Sequence, residues 1–249
     1  MSNSYQQHLS LAIEAGVKLV EAGAETYRVE DTMLRILAHS KSNNFAAFAY
    51  STGLFASIED QQTSIRRIHA RNLNLSTIDR VNTLSRSFCN DQLDINTAHQ
   101  SLKSIKPVLY TGKSEVLGIL LLMSGFSLLV KGGILDAFLV LINGIFFYLS
   151  RHFFLKRNTN PFLLTLVLAF QISFGATLIH QFFPLSNLDA LIVASMMPLV
   201  PGTAFTNAIR DTLYGDYMSG AARALEALVI ASAVAVGVGL GLALYGVLL

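Results

Sequence analysis

Met196–Asp216, MMPLVPGTAFTNAIRDTLYGD, is a run apolar enough to enter a bilayer that is broken by Pro198, Pro201 and Gly202 and then turns polar. Proline removes a backbone donor and clashes with the preceding turn, so a helix arriving here kinks or stops, and its freed carbonyls need partners other than lipid. Such a break is tolerated inside protein or beside a water-filled cavity. Past Gly202 the helix resumes and sets Asn207, Arg210 and Asp211 three and four residues apart on one face. An amide, a guanidinium and a carboxylate then stand near a helix N-terminus, whose unpaired N–H groups and positive dipole end favour an anion. A broken helix with polar groups near membrane depth points to a transport site. The plainer alternative is a proline kink followed by an ordinary cytoplasmic loop.

Working outward, composition separates a mixed, charged first part from a mostly apolar second part. The 249 residues are 52% hydrophobic and 14% charged, too apolar for a soluble domain of this length. The change falls between Pro107 and Ser114, which gives a soluble domain over 1–107 and a transmembrane domain over 108–249. A net charge of +2 carries no argument for nucleic acid. The single cysteine, Cys89, excludes an intramolecular disulfide and reads as a buried thiol. MSNSYQQH lacks a signal-peptide pattern, so the first hundred residues are expected to stay in the cytoplasm.

In the soluble part, Leu9, Ile13, Val17 and Val20 recur at helical spacing over Ser4–Glu21, with Gly23 as a stop. In AETYRVEDTMLRILAHS, Val29, Met33, Ile36 and Leu37 form an apolar stripe, and Glu25, Arg28, Asp31 and Arg35 form opposite-charge pairs on the other face. That charged row fits a solvated face or a contact surface. Phe45 to Ala70 reads as two or three short strands, with a turn at Ser51, Thr52 and Gly53 and a polar break at Glu59 to Gln62. Ser76 with Asp79 would cap a helix to Phe88, and Asp94 would cap another that Pro107 ends. The expected fold is an α-helical integral membrane protein, with about five transmembrane helices preceded by a small α+β cytoplasmic domain.

The five spans are expected near 114–130, 134–150, 161–183, 188–205 and 225–249. The first two are short, and a re-entrant hairpin is their rival reading. With the N-terminus inside, Arg151, Lys156, Arg157, Arg210 and Arg223 fall on the cytoplasmic side and Leu249 on the far side, in accord with the positive-inside rule. A rise of about 1.5 Å per residue puts Asn143 and Gln171 near the bilayer centre, where unpaired amides are costly. They should face the bundle interior, bonded to neighbouring helices or lining a substrate path. Asp136, after Gly132 and Gly133, lies nearer the outer surface and could titrate in a cavity or sit at the interface. In the last span, small residues every four positions, such as Ala233, Gly237 and Gly241, allow close helix packing or a homo-oligomer contact.

Enzyme chemistry finds little support. Gly112, Lys113 and Ser114 resemble the end of a phosphate-binding loop, but Pro107 occupies a position that needs glycine and no strand leads in. The six histidines lack metal-ligand spacing, so neither a metal nor another cofactor is implied. Ser124 has glycine on one side only, and His180 lies several turns away.

AGAETYRVEDTM (22–33), IRRIHARNLNLSTIDRVNTLSR (65–86), Gly132–Asp136 and PLVPGTAFTNAIRD (198–211) together resemble the threonine/serine exporter family. The resemblance runs along nearly the whole chain and covers the larger half of the family's long form, most like the larger subunit of its two-component, succinate-exporting form. It implies a secondary exporter of small carboxylate metabolites in the bacterial inner membrane, working with a small second membrane subunit. It marks Glu25, Arg28, Glu30 and Asp31 in the soluble domain, Asp136 after the glycine pair, and Pro201, Gly202, Asn207, Arg210 and Asp211 at the break. On physical grounds Arg210 and Asn207, with the helix N-terminus after Gly202, are the expected donors to a substrate carboxylate. Asp136 or Asp211 is the expected proton-coupling group. A membrane-anchored scaffold or sensor, with Glu25 to Arg35 as its contact surface, is the alternative from another class. A metabolite channel is a third.

Overall fold

The computed structural model describes residues 2–59, 62–69, 71–108, 110, 112–157 and 159–248. Leu249, expected on the far side, and Asp60 and Gln61 of the expected polar break lie outside the described residues. The chain divides into two compact units, Met1–Leu109 with Thr203–Ala224, and Tyr110–Gly202 with Leu225–Leu249.

In the first unit, α1 (Ser2–Glu21) and α2 (Thr26–Ala38) precede β1 (Phe45–Tyr50), β2 (Gly53–Ile58) and β3 (Gln62–Arg67). α3 (Leu75–Cys89) and α4 (Ile95–Ser104) follow. The strands form an antiparallel sheet in the order β1-β2-β3. Alternation sends Ala47, Ala49, Leu54, Ala56 and Ile58 inward. There they meet Leu11, Leu19, Met33 and Ile36 from α1 and α2. Gly16 is the point of closest approach, because a β-carbon there would lie 2.6 Å from the Met33 sulfur. Phe88 and Leu102 complete the core from α3 and α4.

Two caps compare directly with expectation. Asp94 accepts from the Asn96 and Thr97 amides and starts α4 as expected. α3 instead starts one residue before Ser76, because the Asn74 side chain accepts the Thr77 amide at 2.9 Å. A cap needs a side-chain oxygen in reach of N2 or N3, and Asn74 is the residue that supplies it.

In the second unit, α5 (Lys113–Leu129) and α6 (Ile134–Leu155) form a hairpin. Its turn takes Lys131 to φ +63° and brings the Gly132 amide onto the Ser127 carbonyl. α7 (Pro161–Phe182) and α8 (Leu188–Met196) follow, then a 3-10 turn (Met197–Leu199) and α9 (Gly202–Leu213). α10 (Tyr217–Leu248) begins in the first unit and continues in the second. Among the described residues three helices, α6, α7 and α10, are long and apolar enough to cross a membrane, and the bent α8–α9 pair is a candidate fourth. Length and composition thus identify three to four of the about five expected spans among the described residues. α5 has 17 residues, about 25 Å of rise, and the fourth segment is interrupted. Only 33% of the apolar window of α7 is buried within the protein, so most of that surface requires lipid or another apolar cover.

Candidate functional site

The expected break is present. α8 stops at Met196, the 3-10 turn carries Pro198, Val200 is extended, and α9 leaves from Gly202 at a bend of 60°. Pro201 supplies no N–H, and the Gly202 amide returns to the Val200 carbonyl at 2.8 Å.

Within the first unit, the polar face of α9 is engaged by the connection between α1 and α2. Gly23, at φ +79°, ends α1, and Glu25 holds an extended conformation as the N-cap of α2. This turn leaves the Gly23 and Ala24 carbonyls and the Thr26 amide without partners in their own helices. Side chains from α9 and α10 take all three. Asn207 Nδ2 donates to the Gly23 carbonyl at 3.2 Å, Arg223 Nη2 to the Ala24 carbonyl at 2.9 Å, and the Thr26 amide to Asp211 Oδ1 at 3.2 Å. Arg210 Nη1 donates to Glu25 Oε1 at 2.5 Å, while Arg28 approaches the other Glu25 oxygen at 3.6 Å. Tyr27 stacks on Tyr214 with ring centroids 3.9 Å apart.

Behind this surface lies a buried ion pair. Arg223 Nε is 3.0 Å from Asp211 Oδ2, with both side chains almost wholly withdrawn from solvent. Burial pushes the Asp211 carboxyl up, against the lowering effects of Thr26 and Arg223. Burial also tends to raise Glu25, but its own backbone amide, Arg210 and Arg28 outweigh it and hold the carboxyl below the usual glutamate range. Glu30 is pushed up by burial despite accepting the Ala49 amide at 2.8 Å. Asp31 faces outward and pairs with Arg35 at 2.8 Å.

Within the second unit, Asn143 forms a buried polar centre. Its Nδ2 donates to the Ile172 carbonyl at 2.9 Å and to Ser195 Oγ at 3.2 Å, joining α6, α7 and α8. Gly175 makes room for the amide, since a β-carbon there would lie 2.8 Å from Asn143 Oδ1. Gln171 is partly buried, and its side chain makes no hydrogen bond among the described residues. Asp136 accepts from two backbone amides, Gly133 at 2.7 Å and Asn187 at 2.8 Å, and so ties the start of α6 to the start of α8.

Residues 10–245 match the family described as "Putative threonine/serine exporter". The chain belongs to the threonine/serine exporter family. It is 25% identical over 217 residues to the "Probable succinate transporter subunit YjjP" of Escherichia coli (strain K12), covering 86% of this chain and 85% of that protein. No solved structure matches it. Family and apolar helices together make this a membrane protein of the transporter class.

Within the exporter-family chain, the first unit joins Glu25 and Arg28 to Asn207, Arg210 and Asp211. These residues come from segments about 180 positions apart in sequence. Glu30 turns to the sheet and Asp31 to solvent. Arg223, Ser195 and Asn187 were not among the expected site residues. Arg223 carried one usable signal, a lone guanidinium among alanines in a small-residue helix, where burial demands a partner.

Proposed function

We propose that this chain is one subunit of a secondary transporter that exports small carboxylate metabolites, a succinate-type dicarboxylate or threonine and serine. It works in the bacterial inner membrane with a small second membrane subunit. The first unit, α9 included, lies in the cytoplasm with the N-terminus, and α5 and α8 with the turn that follows it join the three long helices as five spans, with positive loops inside. Arg210 carries the reading. Its side chain is 52% exposed and already holds a carboxylate, that of Glu25, directly after the proline break. A substrate carboxylate has the same charge and fork geometry, so it can replace Glu25 on the guanidinium, with Asn207 as a second donor. Displacing Glu25 loosens the contact between the α1–α2 turn and α9, which makes loading and helix movement one event. Asp211, whose carboxyl is pushed up by burial, is the better placed proton acceptor, since protonation would release Arg223. Asp136 is held by two backbone amides and serves as an anchor. Gln171 and Asn143 contribute polar groups to the membrane path, and Pro201 and Gly202 set the bend.

Counterflow in vesicles carrying both subunits, with labelled threonine compared with labelled succinate, identifies the cargo. Arg210→Ala should lower uptake at least tenfold while the protein still inserts. Undiminished flux in that variant removes Arg210 from the site. Accumulation that depends on neither subunit favours a membrane-anchored scaffold or sensor, the reading suggested by the retention of Arg210, Asn207 and Asp211 within one unit.

A further inference from the structure

A second polar cleft lies in the first unit, in the furrow between α2 and α3. Its volume is about 330 Å³, and its walls include Arg28, Asp31 and Arg35 from α2 and Asp79, Asn82 and Arg86 from α3. These residues recur at three, four and seven positions on each helix, so each helix turns one polar stripe to the furrow. The volume falls within the range that takes small metabolites.

The charges in the cleft are not mutually satisfied. Arg35 is held by Asp31 through two contacts, Nε to Oδ1 at 3.1 Å and Nη2 to Oδ2 at 2.8 Å. Arg28 lies 3.6 Å from Glu25, too far for a formed hydrogen bond. Arg86 and Asp79 have no ion pair or side-chain hydrogen bond among the described residues. Three guanidiniums against two carboxylates leave the lining one positive charge in excess. Thr32 and Ser85, both buried, add hydroxyls to the wall. Such a lining suits a compact organic anion with further hydrogen-bonding groups and rejects an apolar or cationic one.

We infer that this α2–α3 cleft binds a small carboxylate-bearing metabolite, at a place separate from Arg210, with Arg86 and Arg28 as the anion-holding groups. Arg28 also gives the cleft a route to the contact described above. A ligand that draws Arg28 away leaves Glu25 to Arg210, so occupancy of the cleft tightens the grip of the α1–α2 turn on α9. This second step rests on the export reading. Binding itself does not.

The test is calorimetric titration of the full chain in lipid nanodiscs with succinate and with L-threonine, and with inorganic phosphate as the plain anion. At least one carboxylate should bind saturably. Arg86→Ala should weaken it tenfold or more. Asp79→Asn should strengthen it severalfold, a change of opposite sign that loss of fold would not produce. In an Arg210→Ala background, which removes the site proposed for export, saturable binding should persist and Arg86→Ala should still weaken it tenfold or more. No saturable binding by either carboxylate overturns the inference, as does wild-type affinity in Arg86→Ala. Phosphate bound as tightly as the carboxylates overturns the assigned ligand class. Loss of binding in Arg210→Ala alone places the ligand at the other site and overturns the cleft. Intact cleft binding without counterflow would instead sink the export reading and leave this one standing.

Discussion

At the scale of single residues, the Asp211–Arg223 pair is the most consequential contact in the first unit. Two opposite charges withdrawn from water are tolerated because each has a further partner, the Thr26 amide for Asp211 and the Ala24 carbonyl for Arg223. Removing one partner strands the other, so Arg223→Ala should destabilise the unit by about 3–5 kcal/mol. The double variant Asp211→Asn with Arg223→Met should recover much of that, and a denaturation cycle over the four proteins measures the difference. Glu25 gives a pH dependence of known sign. Its carboxyl titrates lower in the folded unit than in the unfolded chain, so its stabilising contribution is full above the ordinary glutamate range. That contribution fades as pH falls through the range toward the depressed value. Asp211 and Glu30, pushed up by burial, act in the opposite sense. The readout is therefore the difference between wild type and Glu25→Gln, which should shrink on acidification. With eight tyrosines and no tryptophan, tyrosine emission can follow it through the Tyr27–Tyr214 stack.

At the scale of elements, the second unit is assembled where glycine lets helices approach. Gly144 faces Leu120 and Met123 of α5, and a β-carbon there would come within 2.7 Å of Leu120. Gly237 approaches the backbone of α7, with a β-carbon 2.5 Å from the Leu166 carbonyl oxygen, and Gly241 contacts Ser173 in the same seam. The small-residue repeat of the last span thus serves packing within this chain at those two positions. Gly175 differs in that its neighbour is the Asn143 amide rather than a flat helix surface. Gly175→Val should displace that amide from Ile172 and Ser195. A buried amide without partners costs about 1–3 kcal/mol, so the variant should lose thermal stability in detergent, whereas Gly118→Val, with open space at its β-carbon, should not.

At the scale of the whole molecule, what was legible in the sequence divides by the range of the interaction. The break at Pro198–Gly202 was legible because proline and glycine act on their own backbone. The Asp94 cap was legible for the same reason, since its partners lie two and three residues on. Span number was legible less well: hydropathy located the apolar runs, but their usable lengths depend on where Lys131 and Pro198 cut them. The seating of α9 in the first unit was not legible. Helical spacing put Asn207, Arg210 and Asp211 on one face, yet nothing local could state that its partners were the carbonyls, amide and carboxylate of residues 23–26. The charged row of α2 illustrates the same limit, because Glu25 pairs across sequence while Asp31, six residues on, pairs with its own helix.

One further consequence follows from the shortness of α8. Nine residues and a 3-10 turn rise about 20 Å, against a hydrocarbon layer of about 30 Å. During synthesis such a piece gains too little from lipid to leave the translocon unaided, whereas α6 and α7 can partition on their own. α8 instead needs Asn143 and Asp136 already in place to receive Ser195 and Asn187. Insertion of this region is therefore expected to be ordered, with the interrupted segment drawn in by helices inserted before it.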